Sequence, residues 1–367
     1  MITTLTPLDL GFSVGVVTPT VTSQPSSIEV YEGQTATFTV AATGGGLSYQ
    51  WQLSNDSGGS WSNISGATSS SYTTAATVRT TDNNDQFRCA VTNSAGTVNS
   101  DAATLTVWNP LALGADLACW LDPSSGIFTQ RTGASATTAA ANGDPVGTWR
   151  ARNGTINGTA GSNAQRAIYR ATGLNGTPGI EFDGADDRYS FTTNLAATFQ
   201  NKSYGYIFSG VAAESEASQG TVLAFQTNTG VTRAGVFTNG SSVSSRLNMT
   251  LRRLDADSAA IAFMESAFAN AEAFVAGAEF LWGVSDLHAR KNGVRVASNT
   301  SAGTDGATSN TASSEVVLGA FDTAGVLNLF DGLVGHVVIT CPSSAHSSDT
   351  MRKIEGFIAY KQGTTLA

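Results

Sequence analysis

Apolar and polar residues alternate in short runs along most of the chain, and clusters of Gly, Ser, Thr and Asn separate the runs. Side chains of a β-strand point alternately to its two faces, so this period of two predicts half-buried strands joined by turns. Between residues 21 and 107 the runs are SIEVYEG, TATFTVAAT, SYQWQLSND, QFRCAVTNSAG and AATLTV. Their spacing is typical of a small all-β sandwich.

A second series of alternating runs follows a short segment that contains Pro110. The runs are LACWLDP, GIEFDG, SYGYIFSGVA, TVLAFQT, RAGVFTNG, SRLNMTLRRL, EFLWGVSDL, GVRVAS, SEVVLGAF and FDGLVGHVVITC. About ten such strands predict one larger antiparallel sandwich of the jelly-roll kind. We therefore expect an arm at residues 1–20, a small sandwich at 21–107, a linker at 108–116 and a jelly roll at 117–367.

Residues 257–275 do not follow the period of two. Five apolar residues there have helical spacing: Ile261, Met264, Phe268, Ala271 and Val275. Alanine-rich composition also favours a helix. We nevertheless interpret the stretch as strand, loop and strand, because the segments on both sides belong to the β pattern, and a helix remains the alternative.

The C-terminal stretch SSDTMRKIEGFIAYKQG predicts a helix that packs on the jelly roll. Ser347, Ser348 or Asp349 can cap its first turn, and Gly363 can end it. Its apolar face consists of Met351, Ile354, Phe357 and Ile358.

Composition supports an all-β protein and narrows the function classes. Charged residues are only 13% of the chain, fewer than helix-rich domains need on their exposed faces, whereas 41% hydrophobic residues are sufficient for packed cores. The net charge of −9 disfavours nucleic-acid binding, which requires a basic stripe. The densest basic pairs, Arg252–Arg253 and Arg290–Lys291, are too small for one.

The N-terminal residues MITTLTPLDLGFSVGVV contain no basic residue before their apolar stretch, which Asp9 and two glycines interrupt. This pattern predicts neither a Sec signal nor a membrane span. We therefore expect a chain that is made and assembled inside a cell without secretion, and that does not insert into a membrane. Chain ends are normally disordered unless a partner holds them, so the arm at 1–20 is predicted to dock on a partner subunit.

Three cysteines, Cys89, Cys119 and Cys341, lack the spacing of a zinc site or of a disulfide framework. We interpret them as buried free thiols. Cys119 and Cys341 fall in the first and last predicted strands of the jelly roll, so a disulfide between these two remains an alternative.

The first sandwich resembles a bacterial or phage immunoglobulin (Ig)-like domain. SYQWQLSND supplies the strand-C tryptophan, Trp51, and DNNDQFRCAVTNSAG supplies the strand-F cysteine, Cys89, with Phe87 at the tyrosine-corner position. The strand-B position that would pair with this cysteine is Phe38, so the inter-sheet disulfide of the family cannot form. The core is expected to depend on packing of Phe38, Trp51 and Val91.

The second sandwich resembles the concanavalin A-like, or laminin G-like, jelly-roll domain found in many phage and bacterial surface proteins. The resemblance rests on six motifs in order: ACWLDPSSG, PGIEFDGADDRYSF, LRRLDADSA, ARKNGVRVAS, FDGLVGHVVI and IEGFIAYKQG. Together with the upstream Ig-like domain they resemble virion proteins of tailed phages. The resemblance implies a non-enzymatic capsid decoration protein, head fibre or tail-associated fibre that displays a lectin-like domain for particle stabilisation and adhesion.

Such a protein is expected to contact other virion subunits through the arm, to associate with copies of itself and to bind host-surface glycans weakly. Two alternatives stay open. One is a carbohydrate-binding receptor adhesin at the tail tip, with calcium as its cofactor. The other is a secreted bacterial surface adhesin.

The stretch FDGADDRYSF places Asp183, Asp186 and Asp187 within five positions. We interpret them as a turn between two strands that uses side-chain bonds to its own backbone. Calcium binding is the alternative, but calcium takes about six to eight oxygen ligands, so the cluster would need help, for example from Asn292 or Asp305.

No catalytic set is evident in the sequence. Glycoside hydrolases of this fold class carry two carboxylates at alternate positions of one strand, and the closest match, ESE at 214–216, lies in a polar turn. His288, His336 and His346 show neither triad nor metal spacing and are interpreted as structural.

Four tryptophans are candidates for stacking on a sugar ring. Trp120, Trp149 and Trp282 lie in or beside apolar strands and are predicted to belong to the core. Trp61 in GGSWSN is either an exposed sugar-stacking residue or a plug of the sandwich. No glycan-binding residue is predicted.

Overall fold

The structure is a computed structural model of the chain. It describes residues 15–131, 136–154, 156–191, 203–213, 220–226, 232–241, 244–251, 260–264, 272–282, 286–299, 315–318, 320–323 and 326–366. The chain divides into two compact units, Met1–Asn109 and Pro110–Ala367. None of the helices in the described ranges has the length and hydropathy needed to cross a membrane.

The first unit consists of short strands and one helical turn, α1 (Arg79–Asp82). Its strands are β1 (Thr20–Ser23), β2 (Ile28–Tyr31), β3 (Thr37–Thr39), β4 (Ala41–Thr43), β5 (Ser48–Ser54), β6 (Ser62–Asn63), β7 (Ser71–Thr73), β8 (Gln86–Asn93), β9 (Gly96–Asn99) and β10 (Ala103–Trp108).

These strands form an Ig-like β-sandwich. One sheet has the order β2-β10-β8-β5-β6 with β9 paired to β8, and the ribbons β1–β4 and β3–β7 supply the opposite side. Alternation sends Trp51 and Val91 inward, where they pack with Phe38, and all three side chains are buried. The predicted core is therefore confirmed. Cys89 lies among these residues as a buried free thiol.

The arm predicted at residues 1–20 lies mostly outside the described residues, which begin at Gly15. Val16 and Val17 are exposed, by 51% and 71%. The side-chain amide of Asn93 donates a hydrogen bond to the backbone oxygen of Val17, at 2.8 Å, and so attaches this segment to the first unit.

The segment predicted as a linker, 108–116, has regular structure. Trp108 is the last residue of β10, and a 3-10 helical stretch, Pro110–Asp116, leads to the second unit. A kink at Gly114, where φ is 56°, interrupts this stretch. Glycine suits this position because a positive φ is unfavourable for other residues.

The second unit is built almost entirely of strands. They are β11 (Leu117–Leu121), β12 (Ile127–Phe128), β13 (Thr148–Arg150), β14 (Asn157–Ala160), β15 (Ile168–Leu174), β16 (Thr177–Asp183), β17 (Tyr189–Phe191), β18 (Gly205–Ala213), β19 (Gly220–Gln226), β20 (Thr232–Ser241), β21 (Ser244–Leu251), β22 (Ala260–Met264), β23 (Ala273–Leu281), β24 (Asp286–Lys291), β25 (Val294–Asn299), β26 (Glu315–Leu318), β27 (Ala320–Thr323), β28 (Val326–Leu329) and β29 (Asp331–Thr340).

Two large antiparallel sheets form the jelly-roll sandwich. The first has the order β15-β16-β29-β18-β23-β24-β25, with β11 also paired to β29, and the second has the order β12-β13-β14-β17-β26-β19-β20-β21-β22. Residues from both sheets share one buried core, which includes Trp149, Phe182, Tyr189 and Phe280. Burial of each large apolar side chain contributes about 1.5–3 kcal/mol to the free energy of unfolding.

A helix, α2 (Ser348–Lys361), forms a third layer on the outer face of the first of these sheets and contacts β18, β23 and β29. Ser347 caps it by accepting a hydrogen bond from the backbone N–H of Thr350, at 3.1 Å. The predicted apolar face is buried, and Gly363 follows the helix with a φ of 64°. The predicted fold class, all-β with an Ig-like sandwich, a larger jelly roll and a short C-terminal helix, is confirmed.

The strand interpretation of residues 257–275 holds wherever that stretch is described. β22 covers Ala260–Met264, and β23 begins at Ala273. Residues 252–259 and 265–271, including Phe268 and Ala271, lie outside the described residues. The structure also contains short strands that the alternation did not predict, among them β12, β14 and β28.

Cys119 and Cys341 form no disulfide, so that alternative is not realised, and Cys341 is half-buried instead of buried as predicted. The register of β11 on β29 places Cys119 opposite Ile339. Cys341 instead donates its backbone N–H to Asp116, at 2.9 Å. Complete burial raises the pKa of the Cys119 thiol well above its usual range, which keeps it protonated.

Candidate functional site

The acidic stretch forms the turn between β16 and β17, as predicted. The Asp183 side chain accepts a hydrogen bond from the backbone N–H of Ala185, at 2.8 Å. The Asp187 side chain accepts one from the backbone N–H of Asp183, at 2.9 Å. Gly184 has a φ of 70°, and a Cβ there would lie 2.9 Å from the Cβ of Asp331. Glycine therefore meets both a backbone and a packing requirement.

The same turn brings the three predicted carboxylates together. Asp183, Asp186 and Asp187 each offer an oxygen, and these oxygens all lie within 4.8 Å of one another. Asp183 is exposed, Asp186 is half-buried and Asp187 is buried. The side-chain bonds of the turn and a cation-binding geometry are thus compatible, and the calcium prediction remains a prediction.

A fourth carboxylate, that of Asp331, borders this cluster. Asp183 and Asp331 are register partners where β16 pairs with β29. Burial raises the pKa of Asp331, and the charges of Asp183 and Glu181 raise it further. Glu181 itself pairs with Arg170. We call Asp183, Asp186, Asp187 and Asp331 the acidic turn.

Sequence reasoning missed Asp331, although a signal was present. The tripeptide Phe-Asp-Gly occurs at 182–184 and again at 330–332. The two copies lie side by side on paired strands, with the rings of Phe182 and Phe330 at 6.0 Å in a T-shaped contact. Convergence of the two predicted helper residues on the acidic turn is not established. Asn292 binds the backbone of Val275, and Asp305 lies outside the described residues.

Within the acidic turn, burial strongly shifts the pKa of Asp187. It raises the pKa of this carboxyl to about 7, the backbone N–H of Asp183 opposes the shift, and the charges of Asp183 and Asp186 add to it. A cation held by these carboxylates would displace the proton of Asp187. Its affinity would therefore increase as the pH rises through about 7.

The three histidines occupy structural positions. His336 accepts a hydrogen bond from the indole N–H of Trp120, at 3.2 Å, and its Nε2 lies 3.8 Å from Asp122. His346 Nε2 lies 2.8 Å from the hydroxyl of Thr340. His288 is buried on β24 with Nε2 3.6 Å from Asp286.

The tryptophans divide as the sequence indicated. Trp120, Trp149 and Trp282 are buried, which confirms their assignment to the core. Trp61 is half-buried at the start of the segment that forms β6, and the guanidinium carbon of Arg88 lies 4.2 Å from its ring centroid. The indole is therefore neither a core plug nor a fully exposed ring. Glu214 and Glu216 of the ESE motif lie outside the described residues.

Fold and site together define a two-unit β-sandwich protein with an acidic turn at the edge of its jelly roll. Residues 20–109, about a quarter of the chain, match the family model described as Domain of unknown function (DUF8696). The endoglucanase C of Cellulomonas fimi is 39% identical over 90 residues, which cover 24% of this chain and 8% of that protein. The chain thus spans less than a tenth of the length of this relative.

Three solved structures are similar to parts of this chain. The Ruminococcus gnavus IT-sialidase CBM40 bound to α2,3-sialyllactose is 17% identical, has a TM-score of 0.39 and covers 48% of this chain and 95% of its own. A leech intramolecular trans-sialidase is 14% identical, with a TM-score of 0.40 and coverage of 48% and 27%. A chimeric titin Z1Z2 is 23% identical, with a TM-score of 0.21 and coverage of 26% and 97%. These proteins provide no link to phages.

Proposed function

We propose that this chain is a non-enzymatic virion protein of a tailed phage, either a capsid decoration protein, a head fibre or a tail-associated fibre. Its jelly-roll unit would be displayed for particle stabilisation and for adhesion to glycans. The observation that carries the proposal is the succession of an Ig-like sandwich and a larger jelly roll in one chain. The resemblance to tailed-phage virion proteins rests on that arrangement.

The non-enzymatic part of the proposal is supported by the partners of three buried carboxylates outside the acidic turn. Asp122 pairs with Arg152 at 2.9 Å and accepts a hydrogen bond from Ser124. Glu279 and Glu355 both pair with Arg290. Acid–base catalysis needs a titratable group within reach of a substrate, and these carboxylates are committed to other side chains.

A second candidate function is a carbohydrate-binding receptor adhesin at a tail tip, with calcium bound at the acidic turn. The observation that favours it is the convergence of the Asp183, Asp186 and Asp187 oxygens within 4.8 Å. A bound cation can coordinate sugar hydroxyls as well as carboxylates, because calcium accepts about six to eight oxygen ligands.

A third candidate is a secreted bacterial surface adhesin. The stretch similar to the C. fimi endoglucanase C favours it, since that relative is bacterial. The similarity covers 24% of this chain and leaves the rest without a counterpart in that comparison.

Fractionation of a producing culture separates these candidates. Gradient-purified phage particles, cell envelopes and culture supernatant would be probed with an antibody raised against the recombinant protein. A virion protein is expected in particles in a fixed copy number per particle. Its presence only in the envelope or the supernatant would overturn the virion proposal and favour the bacterial adhesin.

A glycan array tests the calcium-dependent adhesin. The full-length protein is expected to bind specific glycans in calcium at pH 8, and EDTA should abolish this binding. The double substitution Asp183→Asn/Asp186→Asn should lower it at least about tenfold, because calcium affinity depends on the number of ligand charges. Binding that is indifferent to both treatments would exclude the acidic turn.

A further inference from the structure

The outer face of the six-stranded sheet in the Ig-like unit carries a row of hydrogen-bonded side chains. Gln52 of β5 and Arg88 of β8 are register partners and point away from the core, since their neighbours Trp51 and Cys89 point into it. Arg88 Nε donates to Gln52 Oε1, at 2.8 Å, and Gln52 Nε2 donates to Asn63 Oδ1, also at 2.8 Å. The row therefore crosses three adjacent strands in one fixed arrangement.

A second amide on this face is also held in place. Gln50 Nε2 donates to the backbone oxygens of Trp51 and Ile64, at 2.9 and 2.8 Å. Gln50 follows the same outward alternation as Gln52. We call Gln50, Gln52, Asn63, Arg88 and the adjacent Trp61 the amide face.

The loop before Trp61 is rigid because one carboxylate organises it. Asp56 accepts hydrogen bonds from the hydroxyl of Ser54 at 2.7 Å, from the backbone N–H of Ser60 at 2.8 Å and from the hydroxyl of Ser60 at 2.6 Å. The hydroxyl of Ser60 is the largest cause that lowers the pKa of Asp56 to about 2. The loop presents Trp61 at the edge of the sheet, with Arg88 over its ring.

The charge of the amide face restricts the class of ligand that it can bind. The strands β5, β6, β8 and β9 contain Arg88 and no acidic residue, in a chain whose net charge is −9. Arg88 forms no ion pair with any described residue and is instead committed to Gln52 and Trp61. A strongly charged ligand would find no matching set of opposite charges here.

The groups on this face match the chemistry of a sugar chain. Amide side chains can donate and accept hydrogen bonds at once, as hydroxyl groups require. An indole offers an apolar surface for the C–H face of a sugar ring. A sheet face that only meets solvent is normally polar, but it needs neither fixed amides nor an indole beside them.

We propose that the amide face binds an uncharged polysaccharide laid across β8, β5 and β6, with a sugar ring on the face of the Trp61 indole opposite Arg88. This site lies in the Ig-like unit and involves no metal ion. It is therefore independent of the acidic turn, and each of the two sites can fail without the other.

Affinity electrophoresis of the full-length protein tests the site. The gels would contain hydroxyethylcellulose, galactomannan or dextran, and the protein is expected to be retarded by at least one of these uncharged polymers. Trp61→Ala and Gln52→Ala should each weaken the retardation about tenfold. EDTA and 0.5 M salt should leave it unchanged, because neither a metal nor a net charge is involved.

Three variants serve as controls. Trp61→Phe keeps an aromatic ring and should retain part of the retardation, and its thermal midpoint shows whether substitution at this position preserves the fold. Tyr360→Ala removes an aromatic residue that is 37% exposed in the other unit and should behave as wild type. The double substitution Asp183→Asn/Asp186→Asn should also behave as wild type.

Two results would overturn the proposal. One is the absence of retardation by all three polymers, and the other is unchanged retardation of folded Trp61→Ala. Retardation that EDTA or the double substitution abolishes would assign binding to the acidic turn instead. Loss in Trp61→Ala alone would support the amide face, and the glycan array would still test the calcium-dependent adhesin separately.

Discussion

His336 is enclosed between two aromatic residues on the outer face of β29. Its ring stacks on Trp120 at 6.2 Å and meets Phe357 of α2 at 5.6 Å. Burial lowers the pKa of this imidazole to about 4, although the nearby charge of Asp122 acts in the opposite direction. His336 is therefore neutral in the folded protein at neutral pH.

Acid should destabilise the protein through His336. An unfolded histidine has a pKa of about 6.5, so between about pH 6.5 and 4 the unfolded state takes up a proton that the folded state does not. The free energy of unfolding therefore falls as the pH is lowered through this window. We expect this residue to account for a loss of about 2 kcal/mol between pH 7 and pH 5.

The substitution His336→Gln should remove this loss, since its amide oxygen can still accept the hydrogen bond from Trp120. Urea unfolding at pH 7 and pH 5 measures the difference within each protein, so any packing cost of the substitution cancels. An equal loss in the variant and the wild type would show that His336 does not carry the effect.

Single residues of the acidic turn were predictable only in part. Asp183 and Asp187 were assigned to a turn because Asp and Asn bond to nearby backbone, and that chemistry is local in sequence. The position of Asp331 depends on the register between β16 and β29, strands that are distant in sequence. Local alternation does not determine register, so the fourth carboxylate was missed.

At the scale of elements, a buried ion network joins α2 to the jelly roll. Arg290 of β24 binds Glu355 of α2 with two hydrogen bonds, at 2.8 and 2.9 Å, and Glu279 of β23 with a third, at 3.0 Å. Arg295 of β25 also binds Glu279, at 2.8 Å. The side chain of Glu355 is fully buried, so its charge depends on Arg290.

Removing Arg290 should destabilise the protein strongly. Arg290→Met leaves Glu355 as a buried charge without its partner, and we expect the free energy of unfolding to fall by about 3–5 kcal/mol. The double substitution Arg290→Met/Glu355→Leu should recover much of this loss. Urea unfolding of the three proteins measures both effects.

The neighbouring residue provides a matched control. Lys291 pairs with Glu272 in a more exposed position, so Lys291→Met should cost at most about 1 kcal/mol. If Arg290→Met cost no more than Lys291→Met, the buried network would not be what holds α2.

Elements were predicted well where the pattern was long. The helix α2 was predicted with its cap and buried face, because 3.6-residue periodicity and capping are local signals. The strands β12, β14 and β28 were missed, since two to four residues such as NGTA show no alternation. The buried position of Glu355 was also missed, because its partner Arg290 lies on a distant strand.

At the scale of the molecule, the proposed docking arm is directly testable. Deleting residues 1–20 should release the protein from purified particles, because the arm is expected to hold it there. Immunoblotting of gradient-purified particles measures the copies that remain. Deletion of residues 1–14 is the matched control for folding, since it keeps Val17 and its bond to Asn93.

We expect the 1–14 deletion to keep the thermal midpoint of the wild type, whereas the 1–20 deletion also removes Thr20 of β1 and the bond to Asn93 and should lower it slightly. Particles that incorporate the 1–20 deletion in full would contradict docking through the arm.

The fold class of the whole molecule could be predicted from the sequence because its signals are repeated many times. Alternating runs and turn residues recur in both units, so errors at single strands did not alter the fold class. The order of the strands within each sheet could not be predicted, because it depends on pairings such as those of β29 with β16 and β18. Function depends on residues that such pairings bring together. It is therefore harder to predict from the sequence than the fold is.

The central position of β29 has a consequence for synthesis. This strand, Asp331–Thr340, pairs with β11, β16 and β18. The Ig-like unit can fold soon after Asn109 leaves the ribosome, whereas the jelly-roll sheet cannot be completed until β29 has been synthesised. A chain truncated before β29 would expose the edges of three strands, which are templates for aggregation.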